Sequence, residues 1–363
     1  FGEWLYQAEI VRRLVLGDPA VAAFSVASYP VPNSLATVIL AALNQLFPPL
    51  TAGRVFLVTL LLAWFPIIRL FMTRFVEPRW RDTATLCGYA LAALSTFFWY
   101  GFISYQLGLL LLTAFLAVYR EDTRATTIAA FGLALFFAHA MAFLVFVLFL
   151  GTRLLFGWKR SIIAGLVLPA SCSLWFLAGR YLAAAEPQPM DAAWSGLIEA
   201  LLYKGGYPAM LGTFRNFLLP EGVSLLENMP WLYWAGFGSN FLVAALLGVL
   251  MLAALYGFMS GRPGFETSSV PARQAGALGL VLLLLAYLVG PYHFFGLINP
   301  GGRLLLPALL LALMLGGSTV MAVLRVLAWP VVLFSLVSSV AYLVLMDRSN
   351  DPGFSPVPPP RAG

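Results

Sequence analysis

The few charged residues of this chain occur in short clusters between long apolar runs, and this pattern constrains the fold more than any other feature. Only 10% of the 363 residues are Asp, Glu, Lys or Arg, while 61% are hydrophobic and the mean hydropathy is +0.90. In a bilayer no water is available to the backbone, so apolar runs of this length must pair their amides within helices. The sequence therefore predicts an all-α fold, a polytopic transmembrane helix bundle.

About ten of the apolar segments approach the length of roughly 20 residues that a membrane-crossing helix needs. Because the run 125–156 is too long for one upright helix, it needs a separate interpretation. Basic residues flank it at Arg124 and Arg153, so the positive-inside rule requires an even number of crossings between them. We expect a tight pair of short helices that turns near His139. The single-helix candidates are 53–72, 85–99, 102–119, 161–179, 236–258, 276–296, 304–325 and 328–346.

The short basic loops set the predicted orientation of the chain. The loops around Arg74, Arg120, Arg153 and Arg262 should all face the cytoplasm by the positive-inside rule. The chain would then consist of an outer loop with interfacial helices (1–52), an N-terminal transmembrane bundle (53–179), an extracytoplasmic loop (180–234), C-terminal transmembrane helices (235–347) and a Pro-rich extended tail (348–363). The first thirty residues are too polar to span, and we expect a further transmembrane helix before Phe1.

Charge and cysteine content exclude two classes of function. The net charge is +6, but the basic residues lie at predicted helix ends, where they meet lipid headgroups, so no nucleic-acid partner is expected. Cys87 and Cys172 lie inside apolar runs without a CxxC partner, which favours neither a zinc site nor a disulfide. Both are expected to be small core residues.

Polar residues at the predicted outer helix ends are the candidate site residues, since polar groups in lipid are costly and usually serve a site or a partner. We expect them to converge on one pocket. No metal-ligand spacing is present, so no metal site is predicted, and whether a divalent ion or other cofactor binds stays open. The candidates are Glu3, Glu9, Asn33, His139, His293, Asn299 and Arg303.

Each candidate has a functional interpretation and a structural one. Glu3 begins an amphipathic stretch and is either a general base at the membrane surface or a solvent-facing helix cap. His139 and His293 are able to hydrogen-bond a phosphate, ligate a metal or haem, or simply pack. Arg303 follows a Gly-rich turn, where it would either grip a phosphate or anchor a helix in the headgroup layer.

Three segments in the first third of the chain resemble the first outer loop and second helix of GT-C-type membrane glycosyltransferases. Two further segments resemble helix signatures of a bacterial branch of that superfamily whose substrate is unassigned. The first three are Glu3-Trp4-Leu5-Tyr6-Gln7-Ala8-Glu9, Tyr29-Pro30-Val31-Pro32-Asn33 and Pro48-Pro49-Leu50-Thr51-Ala52-Gly53-Arg54; the other two are Gly101-Phe102-Ile103-Ser104-Tyr105-Gln106-Leu107-Gly108 and Phe137-Ala138-His139-Ala140.

This resemblance implies an activity and a set of roles. Members of the family take sugars from polyprenyl-phosphate carriers and transfer them, with inversion, to a lipid, glycan or protein acceptor. A carboxylate just after the first helix is the catalytic base or a metal contact, and Glu3 stands at that position. Substrate-binding roles would fall to Arg303, His293, His139, Asn33 and Gln106. The resemblance implies a bacterial inner-membrane protein with an extracytoplasmic active face.

Two alternatives remain open at the level of sequence. The first is a non-catalytic subunit of a larger membrane complex that keeps a GT-C-like fold and binds a pigment or haem through His139 or His293. The second is a transporter of lipid-linked intermediates, which the lack of a recognisable inverted repeat disfavours. Fold alone does not separate these functions.

Overall fold

The structure is a computed structural model that describes residues 2–94, 102–183, 270–289 and 301–349, with the isolated positions 248, 249, 252, 256, 293, 294, 297 and 298. Within these residues the fold is all-α, which confirms the predicted class. The one exception is a two-residue antiparallel ladder between His293–Phe294 and Leu297–Ile298.

Ten helices make up the described part of the chain. A short 3₁₀ turn, Gly301–Leu304, leads directly into the last of them. The helices are α1 (Gly2–Val15), α2 (Leu35–Leu43), α3 (Pro49–Phe75), α4 (Arg81–Ala93), α5 (Ile103–Val118), α6 (Ala125–Ala138), α7 (Ala140–Leu155), α8 (Arg160–Ala183), α9 (Val270–Val289) and α10 (Leu305–Ser349).

Two helices whose side chains are fully described are long and apolar enough to cross a membrane. They are Pro49–Phe75 and the Arg160–Arg180 part of α8, which match the predicted spans 53–72 and 161–179. Large apolar side chains such as Leu62 on α3 and Leu174 on α8 are exposed. Because an apolar exterior is stable only against lipid or another protein, these helices indicate membrane association.

The run 125–156 folds as the predicted pair of short helices, which confirms the break at His139. α6 ends at Ala138 and α7 begins at Ala140, and between them His139 has an extended backbone with φ −165° and ψ 124°. The His139 ring replaces the lost helical pairing, since its Nδ1 accepts a hydrogen bond from the Met141 N–H at 3.2 Å. A side chain that caps the next helix stabilises such a break.

Three of the predicted cytoplasmic loops meet at one end of the bundle, which we call the Arg153 end. Arg153 on α7 forms a two-point ion pair with Glu121 in the α5–α6 loop, and Lys159 lies 3.4 Å from the same carboxylate. Arg74 at the end of α3 donates to the carbonyls of Leu116 and Ala117 at the end of α5. The opposite end, where α5 begins and α6 turns into α7, is the His139 end.

The long N-terminal connection lies along the His139 end. The Tyr29 ring packs 6.1 Å from the ring of Phe176 on α8 and lies so close to Gly179 that an added Cβ there would come within 2.5 Å of it. The predicted amphipathic stretch beginning at Glu3 is helical as α1, and α2 follows it before the first long helix.

The last part of the chain differs from the prediction. The expected separate spans 304–325 and 328–346 form one continuous helix, α10, of 45 residues. Nothing between Val326 and Ala328 breaks a helix, and the helix also passes through Pro330. At about 1.5 Å per residue α10 is roughly 70 Å long, about twice the hydrocarbon thickness.

Two other span predictions were wrong in their bounds. The helix found in the expected span 276–296 is α9, which begins at Val270 and ends at Val289. The two-residue ladder at 293–298 follows it. The expected span 85–99 begins earlier, at Arg81, and its helix ends at Ala93. The predictions for 236–258, for 184–234 of the outer loop and for 350–363 of the tail lie outside the described residues, apart from four isolated positions in the first.

A glycine allows the close approach of α5 to the α6–α7 turn. A Cβ added at Gly108 would lie 2.7 Å from the Cβ of His139 and 3.0 Å from the Cβ of Ala142, so Gly108→Ala should force the turn away from α5. We expect a loss of about 1–3 kcal/mol, the usual effect of overpacking, seen as a lower melting temperature in detergent.

Gly151→Ala on α7 is the matched control, because no heavy atom lies within 4 Å of its added Cβ. Alanine there should be neutral or stabilise the helix by up to about 1 kcal/mol. Equal melting temperatures for the two variants would show that the turn does not pack as described.

Candidate functional site

Four separate parts of the chain meet at the His139 end. We call this group the His139 cluster: His139 in the α6–α7 turn, Arg303 in the 3₁₀ turn before α10, Phe102 and Tyr105 at the start of α5, and Asn33 just before α2. His139 and Arg303 are both buried, with 2% and 8% of their surfaces exposed. A buried guanidinium and imidazole need defined partners, because uncompensated polar groups are costly to bury.

Arg303 is held from three directions. Its Nη1 lies 3.2 Å from Nε2 of His139, a residue 164 positions earlier in the chain. Its guanidinium carbon lies 4.9 Å from the centre of the Phe102 ring, a cation–π contact, and its backbone carbonyl accepts a 2.7 Å hydrogen bond from the Tyr105 hydroxyl. These contacts fix the 3₁₀ turn against the beginning of α5.

The two first-turn amides of α7 are capped by different side chains. Asn33 Oδ1 accepts from the N–H of Ala140 at 2.9 Å, and His139 Nδ1 accepts from the N–H of Met141. Asn33 has φ 66°, in the left-handed region, which asparagine tolerates better than most residues. Asn33 thereby ties the N-terminal connection to the helix that carries His139.

The ring of His139 has one acceptor nitrogen but faces two hydrogen-bond donors. A second positive charge beside the Arg303 guanidinium is unfavourable, so the ring is neutral and has one lone pair and one N–H. Both ring nitrogens face donors, however: Nδ1 faces the Met141 amide and Nε2 faces Arg303, which only donates. With Nδ1 accepting, the N–H at Nε2 and the guanidinium point into the same space, an arrangement that an anionic oxygen would satisfy.

The predicted site residues do not all join this cluster. The described contacts bring together His139, Arg303 and Asn33. Gln106 instead forms hydrogen bonds inside the bundle. Its side chain accepts from Trp64 Nε1 at 3.1 Å and donates to the carbonyl of Ala92, linking α3, α4 and α5 inside the bundle. His293 lies in the two-residue ladder, and Asn299 lies outside the described residues.

Glu3 lies apart from the described contacts of the cluster. It is exposed in the first turn of α1, where its carboxylate accepts a 3.1 Å hydrogen bond from Gln7. The other candidate carboxylate, Glu9, accepts from Arg12 and Arg13. Both carboxylates therefore have described partners on their own helix, and their convergence with the other outer polar residues stays a prediction.

Sequence reasoning missed the roles of Phe102 and Tyr105. Both were noted only as parts of a helix signature, yet they supply the ring face and the hydroxyl that hold Arg303. The signal available was their position in the first turn of a helix that begins at the same predicted face as His139. Among the described residues, no three His, Cys, Asp or Glu side chains are grouped so that they could hold a metal ion.

The Asn33 cap can be tested by substitution. Asn33→Ala removes the acceptor for the Ala140 N–H and puts a Cβ-bearing residue without a polar side chain in the left-handed region. We expect a loss of about 2 kcal/mol, combining the two effects, measured as a lower melting temperature in detergent.

Asn33→Gly separates these contributions, because glycine adopts the same φ without strain but also lacks the acceptor. It should fall between the wild type and Asn33→Ala. If Asn33→Ala melts at the wild-type temperature, the cap does not hold the cluster together.

No family model, no curated protein and no solved structure matches the chain. The resemblance of its N-terminal segments to GT-C glycosyltransferases therefore stays a prediction from the sequence. The geometry of the His139 cluster is the further observation that bears on it. That geometry offers a buried pair of donors at one end of an apolar helix bundle.

Proposed function

We propose that this protein is a GT-C-like glycosyltransferase of the bacterial inner membrane, which takes a sugar from a polyprenyl-phosphate donor at the extracytoplasmic face. The observation that carries the proposal is that Nη1 of Arg303 lies 3.2 Å from Nε2 of His139 in a buried position, while Nδ1 of the same ring accepts from the Met141 N–H. A phosphate oxygen would accept from the Arg303 guanidinium and, with Nδ1 of the ring accepting, from the Nε2–H of His139.

The surroundings suit a lipid-linked donor better than a soluble one. The cluster lies at the end of apolar helices whose outer faces, such as Leu62 on α3, are exposed. A polyprenyl chain would lie along such a surface while its phosphate enters the polar end. The predicted position of the His139 end is extracytoplasmic, since the basic loops meet at the opposite end.

The proposed reaction is a single inverting displacement. The acceptor hydroxyl oxygen forms a bond to the anomeric carbon while the bond from that carbon to the phosphate oxygen breaks. The bonding electrons leave with the polyprenyl phosphate, whose growing negative charge Arg303 and His139 stabilise, and a carboxylate takes the proton of the hydroxyl. His293 would add a substrate contact, and Asn33 would position His139 by capping α7.

The proton acceptor in this proposal is Glu3, on the basis of the family resemblance. Its exposed position on α1 leaves it accessible to an acceptor approaching from the aqueous side. The Gln106 side chain, by contrast, is occupied by Trp64 and Ala92, and we propose that it stabilises the bundle rather than binding substrate.

A second candidate function is a non-catalytic subunit that keeps the fold. The described hydrogen bonds of Glu3 do not include a contact with the His139 cluster, which favours this function, because a base should lie within hydrogen-bond reach of the acceptor. Haem or pigment ligation by His139 fits less well. Its Nδ1 caps α7 and its Nε2 faces Arg303, so a ligand bond would require that Arg303 move.

The phosphate site can be tested with Arg303→Gln. The loss of a charged hydrogen-bond donor is worth about 1.5–3 kcal/mol, so binding of a polyprenyl phosphate in detergent should weaken roughly 10- to 150-fold. Arg325→Gln is the matched control, since Arg325 lies on α10, the helix that follows the Arg303 turn, and packs over the Trp80 ring at the opposite end. Equal loss in both variants, or none in Arg303→Gln, would contradict the assignment.

The catalytic role of Glu3 is tested by Glu3→Gln. Sugar transfer from a polyprenyl-phosphate sugar should be abolished, while binding of the polyprenyl phosphate and expression stay unchanged, because the proton acceptor is lost and the phosphate site is not. Glu77→Gln is the control. Glu77 forms an ion pair with Arg79 in the α3–α4 connection, away from the His139 end. Normal transfer by Glu3→Gln would exclude Glu3 as the base, and transfer by neither wild type nor variant would favour the subunit function.

A further inference from the structure

An exposed basic and aromatic surface lies at the Arg153 end, on the connection from α7 to α8. We call it the Trp158 surface; its residues are Leu155, Trp158, Lys159 and Arg160 on that connection and Arg124 directly before α6. Leu155 and Trp158 are 74% and 73% exposed, and Arg124 and Arg160 are also exposed. None of these residues takes part in the proposed sugar transfer.

The connection that carries this surface is held in place by a buried guanidinium. Arg153 is 3% exposed; its Nη1 donates to the carbonyl of Gly157 at 3.3 Å, while its Nε and Nη2 pair with Glu121. Lys159 is tied to the same residue, since its Nζ lies 3.4 Å from the Glu121 carboxylate. Trp158 stands between these two anchored positions, so its backbone is fixed while its ring stays outside the bundle.

The packing of α6 against α8 brings the two exposed arginines to one end of a helix pair. A Cβ added at Gly165, five residues into α8, would lie 2.8 Å from the carbonyl oxygen of Ala125, the first residue of α6. The two helices therefore begin side by side. Arg124 directly precedes Ala125 and Arg160 is the first residue of α8, so both belong to the same edge of the protein.

The charge of this edge stays positive after its carboxylates are counted. The segments 119–124 and 153–160 contain five basic and two acidic residues, a net charge of +3. The two acidic residues are Glu121, which pairs with Arg153 and Lys159, and the exposed Asp122. The neighbouring segment 69–82 contains four basic and two acidic residues, so it does not cancel this charge. A surface of this charge attracts anions.

The apolar side chains of the surface favour a lipid over a soluble anion. The helix that begins at Arg160 is one of the two described helices long and apolar enough to cross a membrane, so its first residue lies at the level of the headgroups. Tryptophan is enriched at that level, because its ring is apolar and its N–H is polar. A soluble anion would leave Leu155 and Trp158 exposed to water, whereas a lipid would cover them.

We propose that the Trp158 surface binds anionic phospholipids of the leaflet at the Arg153 end, the predicted cytoplasmic side. Arg124, Lys159 and Arg160 attract the headgroups, and Leu155 and Trp158 insert beside them among the upper parts of the acyl chains. The sequence predicts only the side on which these basic residues lie. The structure adds the anchored connection that holds an apolar edge next to them. The site is independent of the proposed sugar transfer, so either proposal can fail while the other holds.

The test measures lipid binding to delipidated protein in detergent, by native mass spectrometry and by the rise in melting temperature on adding lipid. Phosphatidylglycerol is the anionic probe. Phosphatidylcholine with the same acyl chains has the phosphate but no net charge, and inorganic phosphate has no chains. We expect phosphatidylglycerol to bind most tightly and inorganic phosphate to have little effect. Equal binding of the two lipids, or equal stabilisation by inorganic phosphate, would overturn the proposal.

The charge is tested with the double variant Arg124→Gln/Arg160→Gln. Neither side chain has a described hydrogen bond or ion pair, so the lipid-free variant should melt at the wild-type temperature. Each basic residue near an anionic lipid surface contributes about fivefold in affinity, so binding of phosphatidylglycerol should weaken about 25-fold and that of phosphatidylcholine much less.

Arg54→Gln/Arg180→Gln is the matched control, because it removes the same charge from exposed positions near the opposite ends of α3 and α8. It should keep the wild-type preference for phosphatidylglycerol. Equal loss in the two double variants would show that binding follows net charge and not this surface. An unchanged preference in Arg124→Gln/Arg160→Gln would overturn the proposal and leave the surface to a protein partner.

The insertion of the apolar edge is tested with Trp158→Gln. Because the ring contacts the chains and not the charge, binding of phosphatidylglycerol and of phosphatidylcholine should weaken by a similar factor, about three- to tenfold. Unchanged binding of both lipids would contradict the insertion of Trp158.

Discussion

The structure depends on the cost of burying polar groups in an apolar bundle. Helices with exposed apolar faces are held together by few polar contacts, so each such contact has large consequences. At one end Glu121 pairs with Arg153 and joins the α5–α6 loop to α7; at the other His139 and Arg303 join segments 164 residues apart. Between them the Gln106 side chain connects α3 and α4 to α5. These three points fix how the helices are arranged.

The two ends differ in the kind of side chain that each buried guanidinium meets among the described residues. At the Arg153 end a guanidinium meets a carboxylate in a two-point geometry, which is a satisfied structural pair. At the His139 end a guanidinium meets an imidazole whose single lone pair is already needed by the Met141 amide. The first is an ion pair between opposite charges, whereas the second places two nitrogen-bearing groups side by side, where we propose that a phosphate oxygen binds. This contrast is the physical reason for locating the proposed phosphate site at the His139 end.

Local features of the fold were predictable from the sequence. The lengths of α3 and α8 follow from their apolar runs, and the break at His139 follows from the basic residues on both sides of a run too long for one helix. The continuity of α10 was missed because the run 304–346 was divided into two segments of membrane-spanning length, whereas the helix continues through Pro330. The contact between His139 and Arg303 depends on how α5, α7 and α10 pack, and sequence spacing carries no information about that. Glu3 was grouped with them only because it is predicted to lie on the same side of the membrane.

The central claim is that His139 and Arg303 form an anion site, and histidine nitrogen NMR tests it directly because the chain contains only two histidines. Spectra of ¹⁵N-histidine-labelled protein, assigned by comparison with His139→Gln, report which ring nitrogen of His139 carries the proton. The account predicts a proton on Nε2 and a shift of the Nε2 resonance when a polyprenyl phosphate is added. A His139 spectrum that stays unchanged through saturation with that lipid would contradict it.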